Sequence, residues 1–251
     1  MRTRRAPAPF LLLSIRADDA AADDEYAAML RFTGLDESGL MRLRLDREPL
    51  GPVDLDAWSG IILGGGPYNV SDPQPDKSLD QRRAESELFG FLDEVIARDF
   101  PFLGCCYGIG VIGSYIGATV DRQFSEPIGA VSVSLTAAGR GDELFAEMPA
   151  TFQAFVGHKE AISELPDQAV LLAASPTCPV QAFRVGRNVY ATQFHPELDV
   201  GGACTRIDVY KYDGYFEPET AEALKAELRK SDVVYPPAIL RTFVKRYAEP
   251  V

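Results

Sequence analysis

The sequence predicts an α/β protein: one domain built on a twisted, mostly parallel sheet, with helices on both faces and an antiparallel extension. Three patterns carry that expectation. Short apolar runs alternate with amphipathic stretches in the first half, a series of strand-like segments follows, and the end returns to helix. The 251 residues suit one large core, and no repeat, linker or second hydrophobic unit divides 1–251.

In chain order, Phe10–Ile15 reads as a buried first strand, Ala20–Arg31 as a helix and Leu40–Leu45 as a short strand. Trp58–Leu63 is a further strand, closed by Gly64-Gly65-Gly66-Pro67. The polar, proline-bearing Tyr68–Gln81 reads as a loop of the length used for lids and binding loops. Arg82–Ala97 sets Leu88, Leu92, Val95 and Ile96 on one helical face. Pro101–Gly104 is a short buried strand running into a small-residue helix, Tyr107–Ile116. Strand patterns recur at Ala130–Leu135, Phe152–Val156, Val170–Ala174, Val180–Arg184 and Val189–Gln193. Helices at Pro218–Lys230 and Pro236–Tyr247 form a C-terminal extension over about 206–251.

Composition narrows the function. A formal charge of −12 with scattered Lys and Arg argues against a nucleic-acid or phospholipid partner, because phosphate contacts need clustered cations. No apolar run approaches the roughly 20 residues of a membrane span. Arg2, Arg4 and Arg5 before Phe10–Ile15, with Ala20 and Ala22 beyond, imitate a secretion signal. The apolar run is only six residues long and interrupted by Ser14, so a buried strand explains it better and the expected location is cytoplasmic. Cys105, Cys106, Cys178 and Cys204 make no disulfide framework, since two are adjacent. The only histidines are His158 and His195, and no metal-ligand spacing occurs, so neither a metal nor another cofactor is expected.

The chemistry concentrates in three segments. Gly104-x-Cys106-x-Gly108 lies between strand and helix, the arrangement of a nucleophile elbow with sulfur in place of hydroxyl. A strained turn demands small residues two before and two after the nucleophile, and a helix N-terminus favours the thiolate. Cys105 falls one step early, on the buried strand end; the plainer alternative is that both are packed core cysteines. In His195-Pro196-Glu197, proline forces extended backbone, so positions 195 and 197 share a side and a carboxylate stands beside imidazole. Gly64-Gly65-Gly66 exposes backbone N–H groups suited to an oxyanion, with the N–H of Tyr107 as a second donor. No G-K-[S/T] follows, which excludes a nucleotide P-loop.

Together these segments resemble the class I glutamine amidotransferases, most nearly the glutaminase part of GMP synthetase. Ile61–Pro67 resembles that family's oxyanion strand, Leu103–Gly108 its elbow, and Gln193–Glu197 its His/Glu signature. Val156–Glu160 resembles the substrate-lining segment, and Ser175–Pro179 a turn of the synthetase. The resemblance implies a flavodoxin-like sheet and a Cys106–His195–Glu197 triad. Cys106 would attack the side-chain amide of glutamine, His195 would shuttle the proton and Glu197 would orient it, through a glutamyl-thioester. Gly65, Gly66 and Tyr107 would hold the oxyanion, and Gly157, His158 and Gly110 would border the substrate. His158 reads as structural or substrate-shaping. Val209–Tyr215 reads as a cover for the site, a contact between protomers or core.

Two departures bear on the substrate. The family's elbow continues Gly-His-Gln where this chain has Gly108-Ile109-Gly110, so a side chain that grips glutamine is missing and room opens beside the nucleophile. Weak binding of free glutamine is the expectation. No ATP-pyrophosphatase domain follows, which implies a separate synthetase or other acceptor protein, or a stand-alone hydrolase. A γ-glutamyl hydrolase acting on a γ-glutamyl amine or peptide, and a silent regulatory module of the same fold, are the alternatives. An oligomer is compatible with either.

Overall fold

The computed structural model describes residues 8–248. Arg2, Arg4 and Arg5 of the signal-like pattern lie outside the described residues, as do both ends of the span 1–251. The strands are β1 (Phe10–Ser14), β2 (Leu40–Arg44), β3 (Gly60–Leu63), β4 (Phe102–Cys105), β5 (Thr119–Asp121), β6 (Glu126–Leu135), β7 (Thr151–His158), β8 (Ala161–Glu164), β9 (Ala169–Ala174), β10 (Ala182–Val185) and β11 (Val189–Thr192). The helices are α1 (Asp19–Thr33), α2 (Leu79–Ala97), α3 (Tyr107–Tyr115), α4 (Ala137–Arg140), α5 (Val200–Val209), α6 (Ala221–Leu228) and α7 (Pro237–Tyr247).

One nine-stranded sheet runs in the order β2-β1-β3-β4-β11-β10-β9-β6-β7. Its first five strands pair in parallel and the last four antiparallel. β1, β3, β4 and β11 are buried along their whole length, which is why they read as continuous apolar runs rather than alternating ones. Side chains still alternate between the two faces. Leu11, Leu13, Ile61 and Leu63 pack under α2 and α3 against Leu88, Leu92, Ile109 and Ile112. Phe10, Leu12, Ile62 and Leu103 pack on the other face against Met29 of α1 and Ile239, Leu240 and Phe243 of α7. A smaller cluster joins Phe155 of β7 to Ala203 and Ile207 of α5 and Leu228 of α6.

Several boundaries differ from expectation. α2 begins at Leu79, not Arg82, because the Ser78 hydroxyl accepts the N–H of Gln81 and caps it. β6 and β7 run longer, pairing from Glu126↔His158 to Ser134↔Thr151 across an irregularity. β5 and β8 form a two-stranded sheet that short polar segments concealed. The proposed extension boundary near 206 cuts through α5, which starts at Val200 under an Asp199 cap. Pro218–Lys230 resolves into a short turn, Pro218–Thr220, and α6. No helix among the described residues is long and apolar enough to cross a membrane.

Candidate active site

Parallel strands end on the same edge of a sheet, and an open α/β sheet gathers its functional groups there. The carboxyl end of β1 delivers Arg16, that of β3 the Gly64–Gly66 turn, that of β4 Cys106 and that of β11 His195. Register makes this specific: Gly104 stands between Leu63 and Ala191, and Cys105 opposite Thr192.

Cys106 occupies φ +51°, ψ −94°, a conformation costly for a residue with a Cβ, directly at the head of α3. The turn is held by its own N–H on Thr192 O (2.8 Å) and its carbonyl accepting from Ile109 N (3.0 Å). A Cβ at Gly104 would lie 2.9 Å from the backbone of Gly108, so the tight crossing demands glycine. The first N–H groups of α3, that of Tyr107 foremost, precede any intrahelical partner. Cys105 is fully buried on β4, and burial pushes its thiol well above the usual range.

His195 and Glu197 are buried beside it. His195 Nδ1 meets Glu197 Oε1 at 2.8 Å, and the ring lines the same cavity as Cys106. Burial alone would lower the imidazole. The Glu197 carboxylate and the Cys106 sulfur outweigh it and push His195 up to about 10. Burial would raise Glu197, but His195, Arg206 and Arg16 together hold it below the ordinary carboxylate range. Gly65 packs directly on the ring: a Cβ there would meet His195 Cε1 at 2.7 Å. The Gly65/Gly66 pair is therefore divided, Gly65 making room for the His195 ring while Gly66 borders the cavity at Cys106.

Sequence reasoning missed the charged layer beneath this group. Arg16 Nε pairs with Glu25 Oε1 (2.9 Å), and Ser14 Oγ donates to Glu25 Oε2 (3.1 Å). Arg206 of α5 stands 3.9 Å from Glu25 and 4.0 Å from Glu197. Buried charges persist only when paired, and here two guanidinium groups and two carboxylates compensate one another. A signal existed: Glu25 interrupts the inward face of α1 formed by Ala21, Ala22, Ala28 and Met29.

The cavity at the sulfur is lined by Gly66, Tyr107, Gly110, Gly157, Glu160 and Tyr215 among others. Tyr215 covers it from the Val209–Tyr215 segment, held by Lys159 Nζ over its ring (4.4 Å) while Lys159 also donates to Asp213 O (2.9 Å). His158 borders the cavity too, but with both nitrogens engaged: Nδ1 donates to Glu160 O and Nε2 meets Glu126 Oε2, each at 2.8 Å. It shapes the wall and offers no free nitrogen to a ligand. Glu126, His158 and Cys178 bring possible metal-ligand atoms within 4.8 Å of one another, yet Glu126 is further held by Thr177 and Gln181. That donor set is satisfied as a hydrogen-bonded anchor.

The room expected beside Gly110 is taken. A Cβ at Gly110 would lie 2.7 Å from Glu160 Oε1. The Tyr68–Gln81 segment, whose last three residues belong to α2, is anchored at several points: Glu160 accepts the N–H groups of Val70 (2.8 Å) and Ser71 (2.7 Å), Lys77 pairs with Glu85, and Gln81 donates to Asn69 O.

A family model described as "Glutamine amidotransferase class-I" matches residues 43–207. The chain belongs to the class I glutamine amidotransferases. It is 32% identical over 147 residues to the glutamine-hydrolyzing GMP synthase subunit of Thermoplasma acidophilum, covering 58% of this chain and 66% of that protein. It is 27% identical over 150 residues to the glutamine-hydrolyzing GMP synthase of Petrotoga mobilis, of which the match spans 26%. The match thus takes in less than two thirds of either relative's length. A solved glutamine amidotransferase from Thermotoga maritima superposes with a TM-score of 0.76 over 96% of this chain and 99% of that one, at 21% identity. One from Methylobacillus flagellatus gives 0.73 over 98% and 97%, at 17% identity. These two establish the fold of the class I amidotransferase family for this chain.

Proposed function

We propose that the protein hydrolyses the side-chain amide of glutamine through a Cys106–His195–Glu197 triad. The observation that carries this reading is the strained Cys106 at the head of α3, sharing a cavity with His195, which is itself held by Glu197 at 2.8 Å. With its pKa raised to about 10, His195 is protonated at neutral pH and can give a proton to a departing nitrogen. The sulfur attacks the amide carbon, and the oxyanion accepts hydrogen bonds from the Tyr107 N–H and the Gly66 region. His195 gives its proton to the departing nitrogen, the C–N bond breaks and ammonia leaves a glutamyl-thioester. Water, deprotonated by His195, then attacks the thioester; glutamate departs and the sulfur regains its charge. Glu197 keeps Nδ1–H oriented throughout.

The names of the relatives support glutamine as donor and a separate synthetase as acceptor of the ammonia. A second reading, hydrolysis of a γ-glutamyl amine, has its own support. A second cavity of about 40 Å³ also borders Cys106, lined by apolar Ile128, Phe155, Leu198 and Ala203 and by polar Arg16, Arg206 and Tyr210. One water-sized ligand needs only about 10–15 Å³ on that measure, so a leaving group larger than ammonia has space. Ammonia release from glutamine, measured beside hydrolysis of a panel of γ-glutamyl amides, separates the two. Absence of Cys106-dependent turnover on every member would refute both.

A further inference from the structure

We infer that the cavity bordered by Arg16, Arg206 and Tyr210 beside Cys106 receives a carboxylate carried by the amine that leaves the γ-glutamyl group, so that the substrate class is the γ-glutamyl amino acids and peptides. The inference rests on the triad reading and on its second substrate, and adds the groups that select the amine.

Two cavities border Cys106 and share Gly66, Gly157 and Tyr215. Of the two, only the one lined by Arg16 is bordered by His195. A proton donor must reach the nitrogen that departs, so the amine lies in the cavity with His195 and the glutamyl chain in the other. Arg16 stands close by. A Cβ at Gly65 would lie 2.7 Å from His195 Cε1 and 2.9 Å from Arg16 Nη2, which sets the imidazole and this guanidinium nitrogen against one glycine. An amino acid joined through its amine carries the carboxylate two bonds beyond that nitrogen, about 3 Å away at ordinary bond lengths.

The charges leave a place for an anion. Arg16 and Arg206 are 3% and 4% exposed. Arg16 gives Nε to Glu25 and Nη1 to the Tyr210 hydroxyl, and its Nη2 has no protein partner among the described residues. Arg206 gives Nη1 to Ala21 O, while Nε and Nη2, one edge of the guanidinium, are buried without a hydrogen bond. Its nearest carboxylates stand at 3.8 Å (Asp24), 3.9 Å (Glu25) and 4.0 Å (Glu197). Glu25 and Glu197 are already engaged at 2.9 Å by Arg16 and at 2.8 Å by His195, and Asp24 is partly solvated. With His195 protonated, three buried cations thus face two fully buried carboxylates. Burial and the neighbouring Arg16 lower the Arg206 guanidinium, the direction of a cation short of counter-charge. A carboxylate meets a guanidinium through two parallel N–H···O bonds, and the Tyr210 hydroxyl, which accepts from Arg16, keeps its own proton to donate. Ammonia brings no negative charge to this group; an amino acid does.

In the reaction the sulfur bonds to the γ-carbonyl carbon and the C–N bond breaks. The nitrogen keeps the electron pair, takes the His195 proton and departs as the free amino acid, its carboxylate unchanged. Water then splits the thioester to glutamate.

Arg206 also stands near Glu197, so loss of activity alone would not separate amine recognition from support of the triad. The test compares glutamate release from γ-glutamylglycine and from γ-glutamylglycinamide, in which an amide replaces the terminal carboxylate. Wild type should favour γ-glutamylglycine in kcat/KM by about tenfold to a hundredfold, the range of a charge-assisted hydrogen bond. In Arg206→Met that preference should fall towards one, chiefly through KM for γ-glutamylglycine. Support of Glu197 acts on both substrates alike and cancels in the ratio. Tyr210→Phe removes one hydroxyl and keeps the ring; it should lower the preference by about twofold to tenfold, and it decides alone if Arg206→Met does not fold. A preference unchanged in the folded variants overturns the assignment, and equal use of the two substrates by wild type overturns it without any variant. Hydrolysis of glutamine but of neither γ-glutamyl compound rejects this inference and leaves the triad reading standing. Absence of Cys106-dependent turnover on all three removes the triad reading, and the inference with it.

Discussion

At the residue scale, the adjacent cysteines differ in backbone conformation and in what surrounds them. Cys106 sits at positive φ on a helix head and shares a cavity with His195; Cys105 is sealed in β4 with its thiol pushed up by burial. Cys106→Ala should abolish amide hydrolysis, since loss of a covalent nucleophile costs orders of magnitude. Cys105→Ala should keep most activity and cost about 1 kcal/mol of packing. Equal losses in steady-state assays would reject this choice of sulfur. The His195–Glu197 pair also makes stability depend on pH. His195 is raised from 6.5 to about 10, so its contribution is complete below pH 6.5 and is lost as pH rises through about 10. Glu197 is lowered from 4.5, so its contribution is present above pH 4.5 and lost as pH falls through its depressed value. Glu197→Gln should therefore depress the melting temperature most between these limits, and the gap to wild type should narrow from pH 7 to 10. A gap that stays constant over that range would remove the charged pair from the account. Activity of the same variant should fall clearly, yet less than in His195→Ala, because the imidazole remains packed but poorly oriented.

At the element scale, the junction of α3, the β7–β8 turn and the stretch 68–78 explains why an added side chain at 110 would not restore a family feature. Its Cβ would collide with Glu160 Oε1 at 2.7 Å and force the carboxylate from the Val70 and Ser71 amides. Gly110→Gln should cost about 1–3 kcal/mol, as overpacking of a filled site does, and should lower rather than raise kcat/KM for glutamine. Thermal unfolding and steady-state kinetics check both halves; tighter glutamine binding without loss of stability would mean the site accommodates the side chain. α2 depends on its cap: Ser78→Ala removes the acceptor for Gln81 N–H and should destabilise by about 1 kcal/mol, read from a denaturant midpoint.

At the scale of the whole molecule, α7 belongs to the central core and is no appendage. Phe243 is fully buried, its ring 6.0 Å from Phe10 of the first strand and 5.0 Å from Tyr247. Phe243→Ala should cost about 3–5 kcal/mol by urea unfolding, the range for deletion of a large buried aromatic. A cost below about 1 kcal/mol would show that α7 docks only peripherally. α5 has a comparable standing at the site, since it brings Arg206 to within 4.0 Å of Glu197 from beyond the signature segment.

What the sequence determined by itself was local in origin. Apolar runs at Phe10–Ile15, Trp58–Leu63 and Pro101–Gly104 marked strands that the fold places at Phe10–Ser14, Gly60–Leu63 and Phe102–Cys105, because parallel strands are buried on both faces. Gly104-x-Cys106-x-Gly108 and His195-Pro196-Glu197 marked the strained strand–helix turn and the His195–Glu197 pair because their constraints act over two or three residues. The cap that moved the start of α2 and the paired edges of β5 and β8 left weaker marks, since propensity over a few polar residues says little. Tertiary structure alone decided the rest. Arg16, Glu25 and Arg206 meet only when β1, α1 and α5 pack together, and Glu160 reaches Gly110 across fifty positions of chain. Burial then fixes their meaning: a charge excluded from water must find a counter-charge, and which one it finds is a property of the fold.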